Sequence, residues 1–195
     1  MTEKEKMLAG EWYKSGDQEL AKERLLAKEF VYEYNIMKPS DKVGHHQLLK
    51  QLLGSCGTYC TIEQPFHCDY GKNIEIGETF FANYNCVMLD CAKITIGSNV
   101  LMGPNVSLYT AGHPLHGDNR RGDLENAFPI TIGNDVWVGG SVTILGNVTV
   151  GNNVIIAAGS VVTKDIPNDV IVAGNPAKII RYLTENDILA EGIEV

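Results

Sequence analysis

The stretch IGNDVW VGGSVT ILGNVT VGNNVI IAAGSV VTKDIP, residues 132–167, decides the fold because it repeats every six residues. The fifth position of each block is β-branched, with Ser160 as the exception. A strict period of this kind is typical of a solenoid, in which each repeat is one short unit stacked on the next. Every block opens on an aliphatic residue: Ile132, Val138, Ile144, Val150, Ile156 and Val162.

The fourth position of each block predicts a turn. Aspartate, asparagine, serine and glycine occur there, and these residues tolerate left-handed backbone angles. Because β-branched residues favour strands, each block is predicted to be a short strand followed by a turn. One block cannot bury its own aliphatic side, so we predict a β-solenoid with a continuous apolar column. The turn positions are Asp135, Ser141, Asn147, Asn153, Gly159 and Asp165.

The period also occurs earlier in the chain and is then interrupted. The same register is present at Ile96 and Met102, and in looser form over residues 74–88. Between the two runs, residues of about 109–129 form an irregular insertion that contains His113. Long loops on rigid scaffolds usually carry function, so we expect the chemistry there.

Length and composition limit the class of protein. A chain of 195 residues with 44% hydrophobic residues fits one domain with an ample core. The formal charge of −8 argues against a nucleic acid or an anionic membrane as partner. No apolar run is long enough for a membrane helix, and the start MTEKEKMLAG has no signal-peptide centre. We therefore expect a cytoplasmic protein.

The cysteines indicate reduced thiols, and no metal site is predicted. Their number is odd and their spacing irregular, which does not suit a disulfide framework. The group formed by Cys56, Cys60, His67 and Cys68 matches no common zinc spacing. The remaining cysteines are Cys86 and Cys91.

The two ends of the chain differ from the repeats. The apolar spacing from Lys4 to about Tyr34 predicts two helices with a break near residues 15–17, and a third helix is predicted from about Asp41 to Leu53. We expect these helices to cap the first coil. Helical spacing after residue 176 predicts a short C-terminal helix. The predicted segments are a helical cap (1–58), a β-helix (59–178), and a C-terminal helix and tail (179–195).

Several motifs together resemble the maltose and galactoside O-acetyltransferases of the hexapeptide-repeat superfamily. They are the repeats, Gly112-His113-Pro114, and the runs FPITIGNDVW (128–137), VVTKDIP (161–167) and AGNPA (173–177). The runs EKEKMLAGE (3–11) and CDYG (68–71) resemble the maltose branch. The resemblance implies a left-handed parallel β-helix, a homotrimer with active sites between subunits, and acetyl transfer from acetyl-CoA to a sugar hydroxyl.

The resemblance also implies catalytic residues. Acyl transfer to a hydroxyl needs a base that works near neutral pH, and imidazole suits that role. His113 matches the family's catalytic histidine, and His116 is interpreted as a surface residue. Glu125 matches a glutamate near that histidine in maltose-type relatives and either orients the base or is a solvated loop acid.

The acceptor and donor positions are likewise carried over from the family. The acceptor positions are Asn83, Asp69, Asp17 and Arg24, and Ser15 competes with Asp17 for its place. In the donor groove, small residues would leave room for the pantetheine chain of CoA. The backbone N–H near Gly140 would donate to the oxyanion, and cationic side chains would attract the phosphates of CoA. The donor positions are Trp137, Gly139, Gly140, Ala158, Thr163, Lys164, Lys178 and Arg181.

Three alternatives are weighed against this interpretation. A metal-dependent hydratase on the same solenoid would need three histidines converging on zinc, and no third histidine follows His116. A non-catalytic hexapeptide scaffold would have no need of the His113 loop. Within the enzyme class, the acceptor could be an antibiotic or amino-sugar rather than a plain sugar. Direct attack is favoured over a cysteine nucleophile, because neither Cys86 nor Cys91 has an adjacent histidine.

Overall fold

The computed structural model describes residues 1–188, which form a parallel β-helix preceded by helices. The helices are α1 (Glu3–Leu8), α2 (Gln18–Ile36), α3 (Lys42–Leu52) and α4 (Gly117–Arg120). The strands are β1 (Tyr13–Lys14), β2 (Cys60–Ile62), β3 (Phe66–Cys68), β4 (Ile74–Ile76), β5 (Phe80–Ala82), β6 (Cys86–Leu89), β7 (Ile94–Ile96), β8 (Val100–Met102), β9 (Ser107–Tyr109), β10 (Ala111–Gly112), β11 (Leu124–Ala127), β12 (Ile130–Ile132), β13 (Trp137–Val138), β14 (Thr143–Leu145), β15 (Val148–Val150), β16 (Ile155–Ile156), β17 (Val161–Val162), β18 (Val170–Gly174) and β19 (Ala177–Tyr182).

The first four coils each give one strand to each of three sheets, which are the faces of the solenoid, and the later coils add strands to only two of them. The seven-stranded sheet has the order β19-β18-β16-β13-β8-β5-β2, the five-stranded sheet β17-β14-β9-β6-β3, and the four-stranded sheet β15-β12-β7-β4. Repeat positions lie in register from coil to coil, so that Ile130 pairs with both Ile94 and Val148. The predicted parallel β-helix is confirmed.

The repeat positions behave as their residue types indicate. The first and fifth residues of all six blocks point inward and are buried. Ser160, the polar exception, is also buried, and its hydroxyl donates to the Ala157 carbonyl (2.6 Å) and accepts from the Gly174 N–H (3.1 Å). These two bonds satisfy the hydroxyl, so a serine is tolerated in the apolar column.

Left-handed backbone angles occur at five of the six predicted turn positions. Asp135, Ser141, Asn147, Asn153 and Gly159 have φ between 54° and 74°. The prediction for Asp165 is wrong, because its backbone is not left-handed; the next left-handed residue, Asp169 with φ of 58°, lies in the following turn, before β18. The last block is not followed by another regular repeat, and the Asp165 carboxylate instead accepts from the Thr149 N–H (2.7 Å).

The N-terminal helices cover the first coil, as predicted. Val31 and Tyr34 of α2 and Leu49 of α3 are buried in the same core as Ile62 and Phe66 of the first coil. The Tyr34 hydroxyl donates to the Ile62 carbonyl (2.5 Å), which fixes α2 on the coil. Within residues 1–188, no helix has the length and apolar character needed to cross a membrane.

The predicted C-terminal helix is wrong. Residues 177–182 form β19, which pairs antiparallel with β18, and a 3₁₀ turn follows at Glu185–Asp187. A short apolar run such as Ile179-Ile180 suits strand or helix, and here the free edge of β18 decides because its N–H and C=O groups need partners. The predicted tail from residue 189 onward lies outside the described residues.

A two-residue strand between the first helices was not predicted. β1 pairs antiparallel with β11 of the insertion, and β11 pairs with β10, giving a small three-stranded sheet. Strands of two to four residues carry too little periodicity to be recognised in a sequence. The insertion is therefore joined to the N-terminal segment by backbone hydrogen bonds.

We expect Leu49→Ala to lower the free energy of unfolding by about 2–5 kcal/mol, because Leu49 is buried between the cap and the first coil. Leu26→Ala on α2 is the matched control, since Leu26 is 59% exposed and its truncation leaves no cavity. Urea unfolding of both variants at one protein concentration measures the difference. Equal losses for the two variants would contradict the role given to the cap.

Candidate functional site

The predicted site residues lie mainly at two corners of the solenoid. We call the turns between the seven-stranded and five-stranded sheets the glycine corner (residues 83–84, 103–104, 139–140 and 157–159). The turns between the five-stranded and four-stranded sheets, with the insertion, are the insertion corner (residues 69–73, 90–93, 110–129, 146–147 and 163–165). Both follow from the order of the strands along the chain.

The three-stranded sheet brings His113 and Glu125 together at the insertion corner. Gly112, at the end of β10, pairs with Asn126, and Glu125 is the next residue back along β11. Tyr13 of β1 pairs with Glu125 from the other side. The predicted base and the predicted carboxylate are thus held by backbone pairing rather than by a free loop.

The geometry at His113 suits a base. Its Nδ1 lies 3.3 Å from the Leu124 carbonyl oxygen, which can only accept, so Nδ1 carries the hydrogen and Nε2 has the lone pair. Nε2 lies 4.0 Å from Oε1 of Glu125, and the His113 side chain is 57% exposed. A proton taken up at Nε2 would place a positive charge beside a carboxylate.

Tyr13 contacts Glu125, and the sequence offers no indication of this contact. Its hydroxyl donates to Oε2 of Glu125 at 2.7 Å, and the whole residue is buried. Burial raises the pKa of Tyr13 well above its usual range, and Cys91 and Glu125 add to the effect, so the hydroxyl keeps its proton. A tyrosine in a helix break gives no sequence signal, because its partner is far away in the chain.

Asp69 lies at the same corner, and Arg24 of α2 contacts the neighbouring Tyr70. Arg24 donates from Nη1 to the Tyr70 hydroxyl and from Nη2 to the Ser15 carbonyl, each at 2.6 Å. Burial raises the pKa of Asp69. The Cys91 thiol, which donates to Oδ2 of Asp69 at 3.5 Å, and the positive charge of Arg24 both lower this pKa and so oppose the rise. The corner therefore presents a half-buried carboxylate beside a fixed guanidinium.

Asp90 supports this segment and was not predicted. It is fully buried, and its Oδ1 accepts from the backbone N–H groups of Asp69 (3.0 Å) and Tyr70 (2.8 Å). Burial raises the pKa of Asp90 to about 6, although the two backbone hydrogen bonds oppose the rise. Asp90 therefore fixes the backbone that carries the Asp69 side chain.

Asp17 and Ser15 both have partners within the chain. The Asp17 carboxylate caps α2 by accepting from the N–H groups of Glu19 (2.9 Å) and Leu20 (3.3 Å). The Ser15 hydroxyl donates to Oδ1 of Asp123 at 2.7 Å. Capping accounts for the presence of an aspartate at position 17 without any ligand.

The glycine corner aligns Asn83 with Gly139, two coils further along. Backbone N–H groups of Asn83, Gly103 and Gly139 donate in turn to the carbonyls of Met102, Val138 and Ile156, at 2.8–2.9 Å. A Cβ at Gly139 would lie 2.5 Å from the Ala158 nitrogen, so coil packing alone requires glycine there. The exposed surface of the corner is formed by Gly140, Ala158 and Gly159.

The remaining donor positions lie on both sides of the solenoid. Trp137 is 55% exposed on the outer face of the seven-stranded sheet, and Lys178 pairs with Ala173 next to the glycine corner. Thr163 and Lys164 are exposed at the insertion corner. Arg181 is held by Asp187 through two hydrogen bonds of 2.6 and 2.7 Å, so its guanidinium is already paired.

Within residues 1–188, the two corners are separate in their polar contacts. No hydrogen bond or ion pair in residues 1–188 joins His113 or Glu125 to the glycine corner. Over the same residues, no group of three or more histidine, cysteine, aspartate or glutamate side chains is placed to hold a metal ion.

Comparisons with known proteins agree with this architecture. Residues 6–57 match the maltose acetyltransferase hexapeptide capping motif, and residues 129–164 match the bacterial transferase hexapeptide of six repeats. The galactoside O-acetyltransferase of Escherichia coli K12 is 41% identical over 94% of this chain and 90% of its own length.

Two solved structures resemble the chain over nearly its whole length. A maltose O-acetyltransferase from Clostridium difficile 630 is 46% identical, with a TM-score of 0.93 over 95% of this chain and 99% of its own. A galactoside acetyltransferase in complex with coenzyme A is 41% identical, with a TM-score of 0.93 over 96% of this chain and 94% of its own. The chain therefore belongs to the maltose and galactoside O-acetyltransferase family of hexapeptide-repeat acyltransferases.

Proposed function

We propose that the protein transfers an acetyl group from acetyl-CoA to a hydroxyl of a sugar such as maltose, glucose or a galactoside. The observation that carries this proposal is the exposed side chain of His113, whose tautomer is set by the Leu124 carbonyl and whose Nε2 lies 4.0 Å from a carboxylate. Family membership supports the same chemistry, because the relatives described above are named for it.

The mechanism uses His113 as general base. Nε2 takes the proton of the acceptor hydroxyl as the hydroxyl oxygen attacks the thioester carbon, and Glu125 stabilises the imidazolium that results. The C–S bond then breaks, and the proton passes from Nε2 to the departing sulfur. Acetyl-CoA supplies the activated acyl group for this step.

Direct attack is supported by the state of the cysteines. Burial raises the pKa of Cys86 to about 12 and places that of Cys91 well above its usual range. Neither thiol therefore supplies a thiolate near neutral pH, which a covalent acyl-enzyme would require.

The residues of the glycine corner suit an extended donor. A Cβ at Gly159 would meet nothing within 4 Å, so the surface there is open, and the Gly140 N–H makes no hydrogen bond within residues 1–188. We assign that N–H to the developing oxyanion. Thr163, Lys164 and Lys178 would bind the phosphates, whereas Arg181 would first have to leave Asp187.

The acceptor would lie between Asn83 and the insertion corner. Oδ1 of Asn83 already accepts from the Tyr84 N–H (2.8 Å), so its amide nitrogen is the group to bind a sugar oxygen. Asp69 would accept from a sugar hydroxyl, and Arg24 holds the surrounding segment through Tyr70. Ser15 and Asp17, the two candidates for one acceptor-binding position, already have partners within the chain. Either would have to give up an existing hydrogen bond in order to bind a sugar hydroxyl.

A homotrimer with active sites between subunits is part of the proposal. The base lies at the insertion corner and the donor groove at the glycine corner, and a second copy would bring one corner to the other. Cyclic symmetry then repeats the same site at each interface. A cytoplasmic location, which gives access to acetyl-CoA, completes the proposal.

We expect His113→Ala to lower turnover by about 100-fold or more, in line with the usual contribution of a general base. His116→Ala is the matched control, because His116 lies on the same loop with its side chain 74% exposed. Release of free thiol from acetyl-CoA, followed with a panel of sugars, amino-sugars and antibiotics, measures both variants and identifies the acceptor. Near-normal activity of His113→Ala would remove the base from the mechanism.

Lys164→Ala should raise the apparent KM for acetyl-CoA by about fivefold, the equivalent of roughly 1 kcal/mol, because an exposed cation contributes modestly to phosphate binding. The KM for the acceptor should change less. Lys42→Ala, an exposed lysine in the helical cap, controls for loss of one positive charge. A larger effect on the acceptor than on acetyl-CoA would contradict the donor assignment.

Mixed oligomers test whether the site lies between subunits. We expect His113→Ala and Ala158→Trp, which blocks the groove at an exposed residue, each to be inactive alone. Refolded together in equal amounts, they should regain about a quarter of the activity, because each site draws its base and its groove from different subunits. No recovery, or a fully active monomer by sedimentation, would contradict an intersubunit site.

A further inference from the structure

Tyr13 makes a contact that neither the fold nor the general-base mechanism requires. Its ring packs in a small core with Met7, Leu20 and Tyr70, separate from the core of the solenoid. Its hydroxyl reaches out of this core to Oε2 of Glu125. The ring therefore contributes to the packing of the N-terminal segment, whereas the hydroxyl contacts a residue of the candidate site.

The hydroxyl determines the position of the carboxylate. With Oε2 held at 2.7 Å by Tyr13, Oε1 faces Nε2 of His113 at 4.0 Å. This distance is longer than a hydrogen bond, for which about 2.7–3.2 Å is usual, but short enough for charge stabilisation. Only 20% of the Glu125 side chain is exposed, which strengthens the interaction relative to a solvated pair.

We propose that Tyr13 is a positioning residue of the transferase reaction: its hydroxyl holds the Glu125 carboxylate beside Nε2 of His113 without a direct hydrogen bond. Nε2 then remains open to the acceptor hydroxyl, while the carboxylate stabilises the imidazolium after proton transfer. The inference rests on the proposed role of His113 as base.

Loss of the hydroxyl should let the carboxylate turn toward the imidazole. Glu125 could then form a direct ion pair with protonated His113, which would hold the proton to higher pH and cover Nε2. Among the described residues, Asp69, Arg24 and Cys91 also lie near this pair. Tyr13→Phe removes none of these side chains, although the Cys91 thiol loses its contact with the Tyr13 hydroxyl.

The test is the pH profile of Tyr13→Phe. We expect the acidic limb of kcat/KM to move to higher pH by about one unit, as an opposite charge brought into contact produces, with kcat lowered and the KM for acetyl-CoA unchanged. Tyr34→Phe is the matched control, because it also removes a buried tyrosine hydroxyl that has one acceptor, far from the site. Its profile should keep the wild-type shape.

The double variant separates positioning from packing. In a Glu125→Gln background, Tyr13→Phe should cause no further shift of the profile, because no carboxylate remains to be held. An unshifted profile for Tyr13→Phe, an equal shift for Tyr34→Phe, or a shift that persists with Glu125→Gln would each overturn the inference. If His113→Ala abolishes turnover while Tyr13→Phe leaves the profile unshifted, only the role of Tyr13 fails. Activity without His113 would overturn the proposed function itself.

Discussion

The structure depends on the burial of aliphatic side chains against the coils above and below them. A block such as Val138–Thr143 has too little surface to form a core, so each coil is stable only within the stack, and backbone hydrogen bonds between coils fix the register. The register in turn aligns Asn83 with Gly139 and places the insertion beside Asp69. The candidate site is therefore assembled by the repeats, although few of its side chains belong to the apolar column.

The insertion derives its order from the N-terminal segment rather than from the solenoid alone. Pairing of β1 with β11 puts Tyr13 opposite Glu125, and Ser15 binds Asp123 at the other end of the contact. A segment at the start of the chain thus contacts a loop more than one hundred positions later. The helical cap consequently has two roles, since it covers the first coil and positions the candidate base.

The sequence predicted the scaffold well because the period repeats one physical requirement many times. The sequence was a poor guide to side-chain contacts that occur only once in the structure and follow no repeat. The pairing of Tyr13 with Glu125, the support of Asp69 by Asp90 and the pairing of Arg181 with Asp187 depend on distances that no local pattern encodes. The apolar spacing of the C-terminal segment predicts a helix but suits a strand equally well, and only the free edge of β18 decides between them. His113 was found through a motif rather than through its surroundings.

The seven-stranded sheet ends differently from a plain stack of coils, and this bears on how copies of the chain would associate. β19 pairs along β18, and the cap formed by α2 and α3 packs on the first coil. An open solenoid end would present unpaired N–H and C=O groups to the next molecule and would favour growth into a filament. Here an antiparallel strand ends the parallel stack on one side and helices cover the first coil on the other, so neither end offers the parallel register that a further coil would need; the proposed trimer would therefore form through the sides of the solenoid.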